Sequence, residues 1–227
     1  MSKLSIIVPV LDEGEGIAAT LDALSGMRAL GGEVIVVDGG SHDATIQRAR
    51  LRADRVISAP RGRAVQMNAG AAKASGDVLL FLHADTRLPG HADHVVLSGL
   101  ERSGRAWGRF DVEIEGRHPL LLVVGVLMNF RSRLTGIATG DQAIFVRRDA
   151  FVTAGGFDAI PLMEDIALCK RLKRVSRPLC LSERVVTSGR RWEKNGVLAT
   201  MLLMWRLRFA YFLGADPNEL ARQYGYE

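Results

Sequence analysis

The strongest constraint on the fold lies in the first 90 residues, where stretches that are apolar throughout alternate with stretches of helical character. "LSIIVPVL" (4–11) precedes a predicted helix near 15–26, and "EVIVVDGG" (33–40) precedes "SHDATIQRARLRA", with Ser41 as a candidate N-cap. "RVISAP" (55–60) leads to the Ala-rich "AVQMNAGAAKA" (64–74), and a fourth apolar run ends at Leu82. Strands without polar alternation are buried on both faces. The pattern therefore predicts an α/β fold, a mostly parallel sheet flanked by helices. Ligands of such sheets bind outside the carboxyl ends of the strands. Asp12, Glu13, Asp38 and Asp85 fall at those ends. Carboxylates gathered on one rim repel one another unless a cation or a donor-rich ligand sits among them.

The second half is less regular. Strands are predicted at 105–114, 142–147 and 178–187, and helices at 119–131, 162–174 and 193–213. No repeat, low-complexity tract or linker divides the chain, so one domain is expected over 1–227. With 48% hydrophobic residues it has material for a large core without disulfides, and Cys169 and Cys180 lack metal-ligand spacing. They read as buried, reduced thiols of a cytoplasmic protein. The short apolar run at the N-terminus meets Asp12 and Glu13 at once and reads as a first strand, not a signal peptide. A net charge of +5 suits an anionic substrate or a membrane surface. The low aromatic content (6%) and the lack of a basic tail argue against nucleic acid.

"GEGIAA" (14–19) fits a dinucleotide-binding fingerprint, with Asp38 at the expected distance. Asp12, Glu13 and Glu15 crowd that turn, however, and would oppose a diphosphate. The dehydrogenase reading is rejected on that ground.

Four segments in order carry a resemblance: "SIIVPVLDE", "VVDGGSHDAT", "GDVLLFLHADT" and "MEDIALCKRLKR". Together they resemble glycosyltransferase family 2, inverting enzymes of the Rossmann-like GT-A fold. They are most similar to a small bacterial subgroup labelled arsenosugar-biosynthesis glycosyltransferases. The resemblance implies a nucleotide-binding half over about 1–90, an acceptor and catalytic half over about 91–192, and a helical C-terminal segment over 193–227. It implies nucleotide contacts from Pro9, Leu11, Glu13, Asp38, Arg63 and Ala84, and a metal-binding acid at Asp85. His83 stands where the family's first metal-site acid is usual, and Asp165 matches the catalytic base with Glu164 beside it. In "SGRRW" (188–192), Ser188 replaces the Gln of processive members, which implies a single transfer.

The chemistry wants these residue types. Sugar transfer from a nucleoside diphosphate develops charge on the departing diphosphate, which a divalent cation stabilises. Mg²⁺ and Mn²⁺ take oxygen ligands, and Mg²⁺ often needs one or two carboxylates plus substrate phosphates, so Asp85 suffices. His83 either ligates Mn²⁺, bonds a phosphate or caps the strand end, and Asp85 otherwise caps the turn. Glu164 and Asp165 open a predicted helix, where they serve catalysis or simply complement the dipole. Asp141, in the turn "TGDQAIF", is a candidate for acceptor or donor sugar. Arg190, Arg191 and Trp192 read as a diphosphate or sugar-stacking cluster, or as a solvated pair beside a packed indole.

"PLLLVVGVLMNF" (119–130), flanked by Arg117, Arg131 and Arg133, and "VLATMLLMW" (197–205), running into Arg206 and Arg208, are too short to span a membrane; each is either core or an interfacial helix resting on lipid through its arginines. The second is the candidate for contact with a membrane periphery or a lipid-linked acceptor. The expected protein is a metal-dependent glycosyltransferase using a nucleotide-sugar donor, UDP-linked, with Mg²⁺ or Mn²⁺ and an unknown acceptor. A nucleotidyltransferase on a similar sheet and a non-catalytic nucleotide-sugar binder are the alternatives.

Overall fold

The computed structural model describes residues 2–225. Its chain order is β1 (Leu4–Val10), α1 (Ile17–Asp22), α2 (Ser25–Ala29), β2 (Glu33–Asp38), α3 (Thr45–Arg50), β3 (Arg55–Ser58), α4 (Arg63–Lys73), β4 (Val78–Phe81), β5 (Thr86–Arg87) and α5 (Ala92–Ser103). There follow β6 (Trp107–Glu115), α6 (Leu120–Thr135), β7 (Phe145–Arg147), α7 (Arg148–Thr153), α8 (Glu164–Val175), β8 (Leu179–Ser188), α9 (Arg190–Asn195), α10 (Val197–Phe212) and α11 (Pro217–Tyr224). One sheet holds all eight strands in the order β3-β2-β1-β4-β7-β6-β8-β5. The first four are parallel, β6 and β8 are parallel to each other, and β7 and β5 pair antiparallel. This is the expected α/β architecture, a mostly parallel sheet flanked by helices.

The apolar runs are buried on both faces because each strand feeds two cores. Ile6, Val8 and Val10 of β1 pack with Ile17, Leu21, Val96 and Val124 on one side of the sheet. Ile7 packs with Met67, Ala71 and Leu168 on the other. The small residues of α4 let it lie close to the strands. A Cβ added to Gly70 would stand 2.5 Å from Ile7 Cγ2 and 2.9 Å from Val37 Cγ2.

Several boundaries differ from the sequence reading. The helix expected from Ser41 starts at Thr45, and the Ser41 hydroxyl instead accepts the Asp12 N–H (2.9 Å). The helix near 15–26 is two short helices. The strand expected over 142–147 begins only at Phe145, after a 3-10 turn at Gly140–Gln142. The helix expected over 193–213 is broken at Gly196, whose φ of 83° lies in the left-handed region. Helices α5, α7 and α11 lie where none was expected. Cys169 is buried as expected and Cys180 half-buried, both free.

A third cluster holds the C-terminal segment in place. Leu207 of α10 and Leu220 and Ala221 of α11 pack on Leu162, Met163 and Ile166 at the start of α8. The last two helices thus form a wall beside the carboxylates that open α8.

Candidate active site

The carboxyl ends of β1 and β4, the starts of α4 and α8, and helices α6, α9, α10 and α11 enclose a cavity of about 900 Å³. Pro9, Leu11, Glu13, Arg63, His83, Ala84, Asp85, Asp141, Glu164, Asp165, Arg191 and Trp192 all line it. Asp38 does not. Its carboxylate accepts the backbone N–H groups of Gly40 (2.9 Å) and Ser41 (3.2 Å), which closes its own turn. Asp12 is likewise engaged, accepting from the His42 N–H (2.8 Å). The rim of four acids expected from the sequence is thus a pair, Glu13 and Asp85.

That pair is electrostatically unsettled. Burial, then the nearby charge of Asp85, pushes the Glu13 carboxyl above its usual range. Beside it, the glycine loop of the fingerprint is closed from within. The Gly14 N–H donates to Asp43 Oδ2 (2.8 Å), so it is already committed to a side chain of the fold. Two clamps hold the strand ends under the cavity. Gln66 Nε2 donates to the carbonyls of Val10 (2.9 Å) and Val37 (2.8 Å), and the Thr20 hydroxyl to that of Ala84 (2.5 Å). The sequence reading missed Gln66; a polar residue on the apolar face of an Ala-rich helix was its signal.

His83 is held by its surroundings. Its Nδ1 lies 3.3 Å from Asp141 Oδ1, and Nε2 is buried without a hydrogen-bond partner. A Cβ built on Gly140 would stand 2.3 Å from that Nε2, so the ring packs on the glycine backbone. Neither nitrogen is presented to the cavity as a metal lone pair. Burial raises the Asp141 carboxyl, but the His83 hydrogen bond and the charges of His83, Arg63 and Arg208 outweigh it and hold the group below its usual range. The Asp141 side chain is 42% exposed, and that surface faces the cavity interior.

At the start of α8, Met163 adopts a left-handed φ of 70° and turns the chain so that the two acids enter the cavity wall. Such backbone costs roughly 1 kcal/mol or more for a non-glycine residue. Asp165 accepts from the Gly140 N–H at Oδ2 (3.0 Å) and from the Ile166 N–H at Oδ1 (2.7 Å). Glu164 is buried, with Arg63 Nη1 at 3.7 Å from its Oε1. Burial, then the charge of Asp165, pushes the Glu164 carboxyl up to about 7.

Because that value exceeds the usual 4.5, the folded chain binds a proton here that the unfolded chain releases between about pH 4.5 and 7. The stabilisation of the protonated form is complete below 4.5 and is lost as pH rises through about 7. Glu164→Gln should therefore gain on the wild type as pH is raised from 5 to 8, by on the order of 2 kcal/mol. Thermal midpoints of both proteins across that range check it. A constant difference between them would show that Glu164 does not titrate in the window.

The far wall carries Arg131 and Arg208, which the sequence shows only as flanks of apolar helices, core or interfacial; both line the cavity with Thr200, Met201, Met204 and Trp205. Arg191 also lines it, and its guanidinium stacks on the Tyr224 ring (3.5 Å to the centroid) while donating to the Tyr224 carbonyl (2.6 Å).

The donor set at Asp85 fits a hard cation in one mode. Among the described residues no cluster of three His, Cys, Asp or Glu side chains is disposed to hold a metal. A single carboxylate facing a cavity suits Mg²⁺ or Mn²⁺ when substrate phosphates complete the shell.

Solved structures share the fold. A crystal structure of S. aureus TarS 1-349 in complex with UDP-GlcNAc aligns with a TM-score of 0.66 at 18% identity, over 82% of this chain and 58% of that one. The mannosyltransferase PcManGT from Pyrobaculum calidifontis, in complex with GDP-Man and Mn²⁺, aligns at 0.64 and 22% identity, over 91% and 60%. Glucosyl-3-phosphoglycerate synthase from Mycobacterium tuberculosis, in complex with Mn²⁺, UDP and glucosyl-3-phosphoglycerate, aligns at 0.59 and 21%, over 82% and 71%. The chain thus spans about 60% of the length of the TarS 1-349 and PcManGT chains it matches. No curated protein matches it. The profile that does match the sequence, over residues 5–151, is that of glycosyl transferase family 2, and the chain belongs to that family.

Proposed function

We propose that the protein is a metal-dependent, inverting glycosyltransferase that moves a sugar from a nucleoside-diphosphate donor, UDP-linked, to an acceptor hydroxyl. The observation that carries this reading is the meeting of the strand-end residues and the Glu164–Asp165 helix start on one cavity. Membership of the family, and neighbours whose crystals hold UDP-GlcNAc, GDP-Man and Mn²⁺, support it.

In this reading Pro9, Leu11, Glu13 and Ala84 contact the nucleotide, with Arg63 near it, and Asp38 acts indirectly by shaping the loop. Asp85 holds a Mg²⁺ or Mn²⁺ ion together with the donor phosphates. When bound, that ion supplies positive charge against the departing diphosphate. Asp165 accepts the proton of the acceptor hydroxyl as its oxygen bonds to the anomeric carbon. The bond from that carbon to the diphosphate breaks on the opposite face, and its electron pair leaves with the phosphate oxygen. Two N–H donors fix the Asp165 carboxylate for this task. Asp141, held by His83, and Trp192 face the sugar, and Arg191 ties the C-terminal wall.

Among the described residues no helix is long and apolar enough to cross a membrane. Phe130 and Leu122 of α6, and Leu202, Phe209 and Phe212 of α10, are nonetheless more than half exposed. That apolar surface makes peripheral contact with a membrane, or with a lipid-linked acceptor, part of the proposal.

Purified protein with UDP- or GDP-sugars and Mn²⁺ tests the reading by thermal unfolding. A donor at about 100 times its Kd stabilises by about 2.7 kcal/mol, about 5–10 °C for a chain of this size. The shift should vanish on chelation. No shift with any nucleotide sugar would overturn the proposal.

A further inference from the structure

Arg131 and Arg208, each four residues before the end of its helix (α6 and α10), take no part in the chemistry above. Both line the cavity. Among the described residues neither guanidinium makes a hydrogen bond or an ion pair. Nε and Nη2 of Arg131, Nε of Arg208 and the neighbouring Thr200 hydroxyl are buried without partners. The remaining guanidinium nitrogens, Nη1 of Arg131 and both Nη of Arg208, have no hydrogen-bond partner among the described residues either. Burial, then the charge of Arg208, pulls the Arg131 guanidinium down to about 10, and burial lowers Arg208 as well.

The acids bearing on them are Asp165, for both, and Asp141, for Arg208. Both oxygens of Asp165 already accept backbone N–H groups, and Asp141 is held by His83. Two cations kept out of water beside each other without a pairing anion are destabilising. A purely structural position would be better filled by an apolar side chain. The arrangement makes sense for a protein that receives an anion there.

Position decides which substrate brings it. Leu207, beside Arg208, packs on Met163 and Ile166, the residues that flank Glu164 and Asp165. Glu13 and Asp85 instead follow the paired strands β1 and β4. The Arg208 end of α10 therefore adjoins the proposed base, and the proposed metal ligand lies by Glu13. We propose that Arg131 and Arg208 form an anion subsite that holds a phosphate group carried by the acceptor. The proposal rests on the glycosyl-transfer reading for the identity of that substrate. Two guanidinium forks complement a dianionic tetrahedral group. Leu127, Met201, Met204 and Trp205 line the same part of the cavity and suit the remainder of the molecule.

The test uses the full chain saturated with UDP and Mn²⁺, so that the donor phosphates are already in place. Calorimetry with glycerol 3-phosphate probes a soluble phosphate monoester. Flotation with phosphatidylcholine vesicles, with and without phosphatidic acid, probes a lipid-borne one. Binding in either arm supports the subsite and identifies the source. Arg131→Gln and Arg208→Gln should each weaken it about tenfold or more, with UDP affinity unchanged. Arg208→Lys, which keeps the charge and loses the fork, should fall between. Each Gln variant should also be more thermally stable than the wild type without ligand, and lose the stabilisation by phosphate.

A merely structural arginine would give the opposite: lower apo stability and unchanged probe binding. That result, or a lack of binding in both arms, overturns the subsite. If UDP does not bind the wild type while a probe still binds through the arginines, the glycosyl-transfer reading fails and the anion subsite stands.

Discussion

Asp165→Asn is expected to retain donor binding and to lose transfer by about 10²–10⁴-fold, the usual contribution of a positioned general base. The carboxylate is fixed by two backbone N–H groups, from Gly140 and Ile166. An asparagine can accept only one of them and turns its own N–H₂ toward the other. The variant should therefore also lose about 1–3 kcal/mol of stability, and rates must be compared where both proteins are folded. Glu164→Gln is the control. Its carboxyl lies toward Arg63 and is buried, so its loss should cost less than the loss of Asp165. Donor turnover measured for both variants separates the roles. If Glu164→Gln falls as far as Asp165→Asn, the base is Glu164; if Asp165→Asn keeps full turnover, neither the assignment nor the inverting chemistry built on it survives.

The second large effect concerns Asp85→Ala. Removing the one carboxylate proposed to hold the cation should cost several kcal/mol of leaving-group stabilisation, and transfer should fall about 10³-fold or more. Thermal stabilisation by UDP with Mn²⁺ should drop to the value that UDP gives with a chelator. Excess Mn²⁺ should rescue the variant poorly, because His83 offers no second ligand: its Nδ1 is held by Asp141 and its Nε2 is buried against the Gly140 backbone. Transfer that is indifferent both to chelators and to this substitution would remove the metal from the reading.

The parallel half of the sheet was legible because its strands are buried on both faces, which leaves an unbroken apolar signature. The C-terminal half was less so. Helix α11 carries a readable start, Asp216 accepting from the Asn218 N–H (3.0 Å) with Pro217 in the first turn, yet it follows Gly214 so closely that the sequence shows there only the end of the helix before it. The break at Gly196 was hidden because apolar residues continue on both sides of it.

Among the site residues, sequence position located the strand ends but not the direction of each side chain. Asp38 and Asp85 both end apolar runs. Asp38 accepts backbone N–H groups two and three residues on, whereas Asp85 lies on the cavity wall. That choice depends on the local turn, which residue type alone does not fix. Arg131 and Arg208 read as flanks of apolar helices because one-dimensional spacing cannot show that two helices bring those side chains to one cavity. The profile match ends at residue 151, before the Glu164–Asp165 pair. The family resemblance supplied those residues, and the packing of α10 and α11 on Met163 explains how they are held.

The stacking of Arg191 on Tyr224 has a practical corollary for anyone handling the molecule. Tyr224 also lines the cavity, so a purification handle attached close behind it would begin at the cavity wall. A handle ahead of Leu4 would hang from the opposite end of β1, about 20 Å from the loop that carries Leu11 and Glu13. Assays that disagree between the two tagging schemes would be reporting on α11.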